Sequence, residues 1–195
     1  SLDALPEVPD HAFIVSPTDT VLPAVEAAAA LKVPVVTILA SGFGEAGAEG
    51  AVREAQLLEI ARGSGIRVVG PNSMGVVNVR NHLALTANAA FAEVDLPRGG
   101  TFVASHSGSM IGALVSRGKA RGIGFASLVS VGSETDLSLG ELCETTVDDP
   151  EIDSYLLFLE TLRHADAIRR FALAAAERGK PVVAYKLGRS SAAAE

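Results

Sequence analysis

The stretch Ser105-His106-Ser107-Gly108-Ser109 sets an imidazole, three hydroxyls and a glycine where the apolar run Thr101 to Ala104 gives way to a helical pattern. Three chemistries suit such a set. The His106 imidazole could accept a phosphoryl group. The amides of a helix starting near Gly108 could hold a phosphate or another anion. Ser105 or Ser107 could instead cap that helix, and from these residues alone capping is favoured. A carboxylate gives the second signal. Glu160 closes the almost wholly apolar run "YLLFL", and carboxylates are seldom buried without a partner; a strand-end glutamate turned to solvent is the alternative. His11, His82 and His164 show no metal-ligand spacing with acids or with Cys143, so no metal site is expected. Asp148 and Asp149 beside Pro150 look like a turn after a helix. Lys186 and Arg189 could meet an anion. There is no Walker A sequence and no Ser-His-Asp order.

These residues need strands and helices to hold them. Ala12 to Val15 reads as a buried strand, followed by a helix capped at Thr18 or Asp19 with Pro23 in its first turn. Val33 to Leu39 is a second strand, too continuously apolar for a one-faced sheet. A helix near Glu49 to Ala61 and a strand at Ile66 to Val69 follow. Residues 80 to 100 break the rhythm, and a boundary is expected near Leu96 to Gly100, giving domains 1–96 and 97–195. The rhythm restarts with strands at Thr101 to Ala104, Phe125 to Val131, Ser154 to Leu159 and Pro181 to Tyr185. Helices are expected at Ser109 to Ala120, Leu137 to Thr146 and Ala165 to Arg178. This alternation predicts an α/β protein of two tandem three-layer units with parallel sheets.

Ligands in open parallel sheets bind beyond the carboxyl ends of the strands. One mouth is therefore expected from Ser16 to Thr18, Ser41 to Gly44 and Pro71 to Ser73. The other comprises Ser105 to Ser109, Gly132 to Asp136, Glu160 to His164 and Lys186 to Ser190. Composition bounds the partners. A formal net charge of −7 argues against nucleic acid and anionic membrane, one cysteine excludes a disulfide framework, and no apolar run is long enough to span a bilayer. A cytoplasmic protein is expected.

The segments "GPNSMGVVN", "SHSGSMIGALV", "SVGSETDLSLGELCETTVDDPEI" and "LFLETL" occur in that order, and the sequence closes on "KPVVAYKLGRSSAAAE". Together they resemble the nucleoside-diphosphate-forming acyl-CoA synthetases, whose α part is similar to that of succinyl-CoA synthetase. The resemblance covers essentially the whole chain. It implies a partial Rossmann-like CoA-binding domain followed by a flavodoxin-like ligase domain. The implied reaction converts acyl-CoA, phosphate and ADP to free acid, CoA and ATP, or the reverse. A phosphohistidine would carry the phosphoryl group to an ATP-grasp module that binds ATP or ADP with Mg2+. That module and the phosphohistidine loop are expected outside this chain, the module fused in cis or present as a β subunit of an oligomer.

By position the resemblance implies CoA contacts at Ser16, Pro17, Leu39, Ala40, Ser41 and Gly42, with Asn72 shaping the mouth. It places Ser105, Ser107 and Gly108 on the helix facing the phosphate, and Glu160 on the glutamate that hydrogen-bonds the phosphohistidine ring. His106 becomes a polar residue of the phosphate loop rather than the phosphoryl acceptor. The rival readings are a non-enzymatic CoA- or acyl-CoA-sensing module and an FMN protein, for which Phe43 is the one aromatic placed to flank the mouth.

Overall fold

The computed structural model describes residues 5–89 and 96–188. These fall into two units: the chain up to Ser73 together with Gly132–Leu137, and Met74–Val131 together with the chain from Ser138 onward.

In the first unit, β1 (His11–Ile14), β2 (Val35–Ile38) and β3 (Arg67–Val69) form a parallel sheet in that order. Helix α1 (Thr18–Ala30) links the first pair and α2 (Gly47–Ser64) the second. The parallel order demands these crossovers. Val21, Val25 and Ala28 of α1, spaced along one helical face, bury with Leu57 and Ala61 of α2 against Val36, Ile38 and Val68. Gly65 ends α2 at φ +78°, its amide returning to the Ala61 carbonyl. Thr18 is not a cap: Pro17 holds that position, and Thr18 is the first helical residue. Pro23 consequently sits in the second turn rather than the first, where its missing N–H leaves the Asp19 carbonyl without an i+4 donor.

Gly132 to Asp136, expected at the second mouth, fall in the segment Gly132–Leu137, which belongs to the first unit. It runs antiparallel along β3 and the turn after it. Ser133 donates its amide to the Pro71 carbonyl at 2.9 Å, Thr135 to Gly70 at 3.2 Å and Leu137 to Val68 at 3.1 Å. The Asp136 carboxylate accepts the Val68 amide at 2.8 Å and Arg67 Nε at 2.9 Å.

The second unit holds β4 (Gly75–Asn78), β5 (Leu83–Thr86), β6 (Arg98–Ser105), α3 (Gly108–Lys119), β7 (Phe125–Ser130), α4 (Leu139–Glu144), β8 (Ser154–Leu159), α5 (Ala165–Glu177) and β9 (Val182–Lys186). The sheet order is β5-β4-β7-β6-β8-β9. The last four strands are parallel, whereas β4 runs antiparallel to both β5 and β7. This hairpin brings Gly75–Asn78 and Leu83–Thr86 into the second sheet. The sheet is covered on both faces. Val103 and Leu156 pair in register and pack with Ile111 and Val115 of α3. The alternate pair, Phe102 and Tyr155, faces the other way, where Tyr155 meets the Phe171 ring of α5 edge-on at 4.7 Å.

Candidate functional site

At the mouth of the first unit, Thr18 turns its hydroxyl to the Ser41 carbonyl at 2.7 Å, tying the end of β1 to the loop after β2. That loop is folded around Glu45. Its carboxylate accepts the amides of Gly42 at 2.5 Å and Phe43 at 3.3 Å, while Arg53 donates to the Gly42 carbonyl. Burial alone would push the Glu45 carboxyl up; the amides of Gly42 and Phe43 and the Arg53 charge outweigh it and hold the pKa below its ordinary value. Gly42 sits at φ +94°, with the Thr18 methyl only 3.1 Å from where a Cβ would stand. The Asn72 amide reaches the Ala40 carbonyl at 2.9 Å and the Ser73 amide the Ile38 carbonyl at 3.0 Å, and Asn72 itself is exposed at φ +59°. Non-glycine residues adopt that conformation at a cost the surroundings must offset.

Ser16, Pro17, Leu39, Ala40, Ser41, Gly42 and Asn72 thus all lie at the carboxyl ends of β1, β2 and β3 or in the turns that leave them. Ser16 Oγ is buried and takes no hydrogen-bond partner among the described residues. A buried hydroxyl of this kind costs stability unless something meets it. Phe43 is fully buried, which removes the aromatic a flavin would need at this mouth. Glu45 and Arg53 were not singled out in the sequence, and Thr18, expected at this mouth and as a helix cap, instead ties β1 to the loop after β2. Gly42-Phe43-Gly44-Glu45 was legible as a loop, but nothing in it announced that the glutamate folds back onto its own amides.

In the second unit, β6 and β8 are parallel neighbours, with Ser105 opposite Phe158. The phosphate-loop candidates and Glu160 therefore emerge from adjacent strand ends. Ser105 is fully buried and donates its hydroxyl to the Ser107 carbonyl at 2.7 Å. The Ser107 hydroxyl pairs with that of Ser109 at 3.0 Å. Ser107 holds the N-cap position of α3 without a side-chain cap bond, so neither serine performs the capping favoured from the residues alone. Gly108 is buried against Met74, and Asn88 donates its side-chain amide to the Gly108 carbonyl at 2.9 Å. Met74 and Asn88 are contributions that the sequence did not signal, because they arrive on the unforeseen hairpin.

His106 is 5 % exposed. Its own amide reaches the Phe158 carbonyl at 3.1 Å. Its Nδ1 accepts the backbone amide of Glu160 at 2.8 Å and that of Thr161 at 3.4 Å, and its Nε2 is buried. The Glu160 side chain is exposed, while its carbonyl accepts Lys186 Nζ at 3.0 Å. Arg189 and Ser190 lie outside the described residues. Among the described residues, no group of three His, Cys, Asp or Glu side chains could hold a metal ion, and no helix is long and apolar enough to cross a membrane.

Residues 98–195 match the succinyl-CoA ligase-like flavodoxin domain, and residues 1–79 match a CoA-binding domain. The chain belongs to the NDP-forming acyl-CoA synthetase family. The synthetase from Archaeoglobus fulgidus named acetate–CoA ligase [ADP-forming] I is 35 % identical over 191 residues, which is 98 % of this chain and 27 % of that protein. The α subunit of the Pyrococcus furiosus acetate–CoA ligase [ADP-forming] I is 36 % identical over 193 residues, covering 98 % of this chain and 40 % of the subunit. The solved acetyl-coenzyme A synthetase 1 of Ca. Korarchaeum cryptofilum, in complex with phosphate and ADP, superposes with a TM-score of 0.85 at 29 % identity over 98 % of this chain and 40 % of that one. The chain thus spans about a quarter to two fifths of the synthetases it matches, and corresponds to an α-type segment of them.

Proposed function

We propose that the chain serves as the α-type segment of an ADP-forming acyl-CoA synthetase acting on a carboxylic acid, with its ATP-grasp module elsewhere in the same polypeptide or on a β subunit. The first mouth fits coenzyme A. Ser16 offers a hydroxyl with no hydrogen-bond partner among the described residues, and the small residues Ala40, Ser41 and Gly42 let a ligand approach the backbone closely. CoA supplies the thiol that exchanges with the acyl group. Ser16, Pro17, Leu39, Ala40, Ser41 and Gly42 bind and orient it, and Asn72 ties its turn to Ala40.

In the second unit the Ser107–Gly108 end of α3 presents helix amides to a phosphate, and Ser105 and Ser107 shape that loop through their hydroxyl bonds. Glu160, exposed at the neighbouring strand end, accepts a hydrogen bond from the imidazole that the longer protein presents. A carboxylate on one ring nitrogen fixes the tautomer and makes the other nitrogen the better nucleophile. The observation that carries this reading is the placement of an uncapped α3 N-terminus and an exposed carboxylate at the ends of adjacent parallel strands.

The test uses the full-length protein with ADP, phosphate and a panel of aliphatic and aromatic acyl-CoAs. ATP should form, and Glu160→Gln should lower phosphoenzyme formation by about 10²–10⁴, as for other orienting and acid–base groups. CoA binding without turnover of any acyl-CoA would favour a sensing module, and a phosphoenzyme formed at the normal rate in Glu160→Gln would remove Glu160 from the reaction.

A further inference from the structure

The peptide groups on either side of Glu160 are gripped from both neighbouring strands. On the β6 side, His106 Nδ1 accepts the Glu160 amide at 2.8 Å and leans toward that of Thr161 at 3.4 Å. On the β9 side, Lys186 Nζ donates to the Glu160 carbonyl at 3.0 Å and to the Leu187 carbonyl at 2.6 Å. β8 ends at Leu159, so among the described residues no strand ladder continues past it to fix the backbone. An exposed carboxylate at a strand end ordinarily samples many directions. Here its main chain is held while its side chain alone remains in solvent.

From this geometry we infer that His106 is a positioning residue, whose Nδ1 serves as a backbone acceptor that aims the Glu160 carboxylate. The inference rests on the reading of Glu160 given above. It also gives a buried imidazole a role that needs no phosphoryl chemistry. Nδ1 is committed to the amides, and Nε2 is enclosed by the fold, so neither nitrogen is presented for in-line attack. With Nδ1 accepting, the neutral ring carries its proton on Nε2.

The chemistry of the acceptor supplies the test. Asparagine places its Oδ1 where histidine places Nδ1, and alanine places nothing there. In the full-length protein, His106→Ala should raise hydrogen–deuterium exchange in the peptide spanning Glu160 and Thr161 by at least about 10-fold, since a strand-end amide that loses its acceptor opens locally. Single-turnover phosphoenzyme formation should fall between about 10-fold and 10²-fold, as misplacement of an orienting group does, with the KM for CoA unchanged within about twofold. His106→Asn should restore protection and recover most of the lost rate. Should the alanine variant not fold, the asparagine variant decides alone: protection near the native level supports the inference, and exposure of the two amides overturns it.

Raised exchange with an undiminished rate in His106→Ala, while Glu160→Gln is impaired, would overturn the positioning role and leave the function of Glu160 standing. A native rate in Glu160→Gln would overturn the reading of Glu160 and, with it, His106 as a catalytic positioner. The exchange data would then still report whether His106 fixes that backbone. Radiolabelled phosphate on the peptide containing His106 would overturn the inference outright.

Discussion

Gly108 gives the sharpest mutational test of how α3, the helix proposed to face the phosphate, is held. A Cβ built on Gly108 stands 2.5 Å from Met74 Cβ, collides with Met74 Cγ and lies 3.4 Å from Ser130 Oγ. The Met74 side chain could swing its far end away, but its Cβ cannot move without its backbone, and β4 fixes that backbone from Gly75 onward. Reaching an ordinary carbon–carbon contact of about 3.5 Å requires a relative shift of roughly 1 Å, taken by the first turn of α3 or by the turn before β4. Gly108→Ala should therefore destabilise the second unit by about 1–3 kcal/mol, the usual cost of overpacking. If the α3 amides hold the phosphate as proposed, the same displacement moves them away from it, and a shift of that size costs about 10²-fold in rate. The assay pairs urea denaturation with single-turnover phosphoenzyme formation in the full-length protein, varying phosphate. Met74→Gly in the same chain removes both colliding atoms and should return part of the lost rate. Wild-type stability and rate in Gly108→Ala would refute the account, because the close approach of Met74 would then constrain nothing.

Ser16→Ala should weaken CoA binding by about 0.5–1.5 kcal/mol, the net worth of one hydrogen bond, measured by calorimetry on the full-length protein; unchanged affinity would show that the Ser16 hydroxyl meets no ligand. Arg80 bonds Asp149 at 2.7 Å and also pairs with Glu151, and Arg80→Met should cost about 1 kcal/mol in urea denaturation, as for partly exposed ion pairs. The Arg80 hydrogen bond, aided by the Glu151 amide, holds the Asp149 carboxyl below its ordinary 3.8. A depressed acid stabilises the fold above the unfolded value and loses that contribution as pH falls through the folded one. The deficit of Arg80→Met should accordingly be full at neutral pH and shrink below about pH 4; a constant deficit would assign the effect to Arg80 packing instead.

The sequence displayed the strand–helix alternation where an element carries its own apolar run or period. β8 ends where its apolar run does and begins one residue before it, and Ala165–Glu177 buries Ala167, Phe171 and Ala175 at helical spacing. The β4–β5 hairpin was not legible: its strands are four residues each, and Leu83 and Ala84 of β5 are exposed. Such short strands are defined by their partner rather than by their own pattern. Gly132 to Asp136 were placed correctly as the loop after a strand, but which unit the loop joins is decided by Pro71, Gly70 and Val68, some sixty residues earlier in sequence. At the site, residue types pointed to the Ser105–Ser109 loop and to Glu160. The partnership of His106 with the Glu160 amide depends on β6 and β8 being neighbours, a fact of sheet order that composition does not carry.

The Gly132–Leu137 segment limits how the chain can be dissected. A gene fragment ending near residue 79 would express β1, β2 and β3 but omit the stretch that satisfies the Val68, Gly70 and Pro71 carbonyls. Such a truncation product would present a raw sheet margin to its neighbours, an invitation to intermolecular pairing. A soluble stand-alone version should need that hexapeptide grafted back through a linker. A cassette exchanged into this chain would likewise have to carry the strand and its distant splint together.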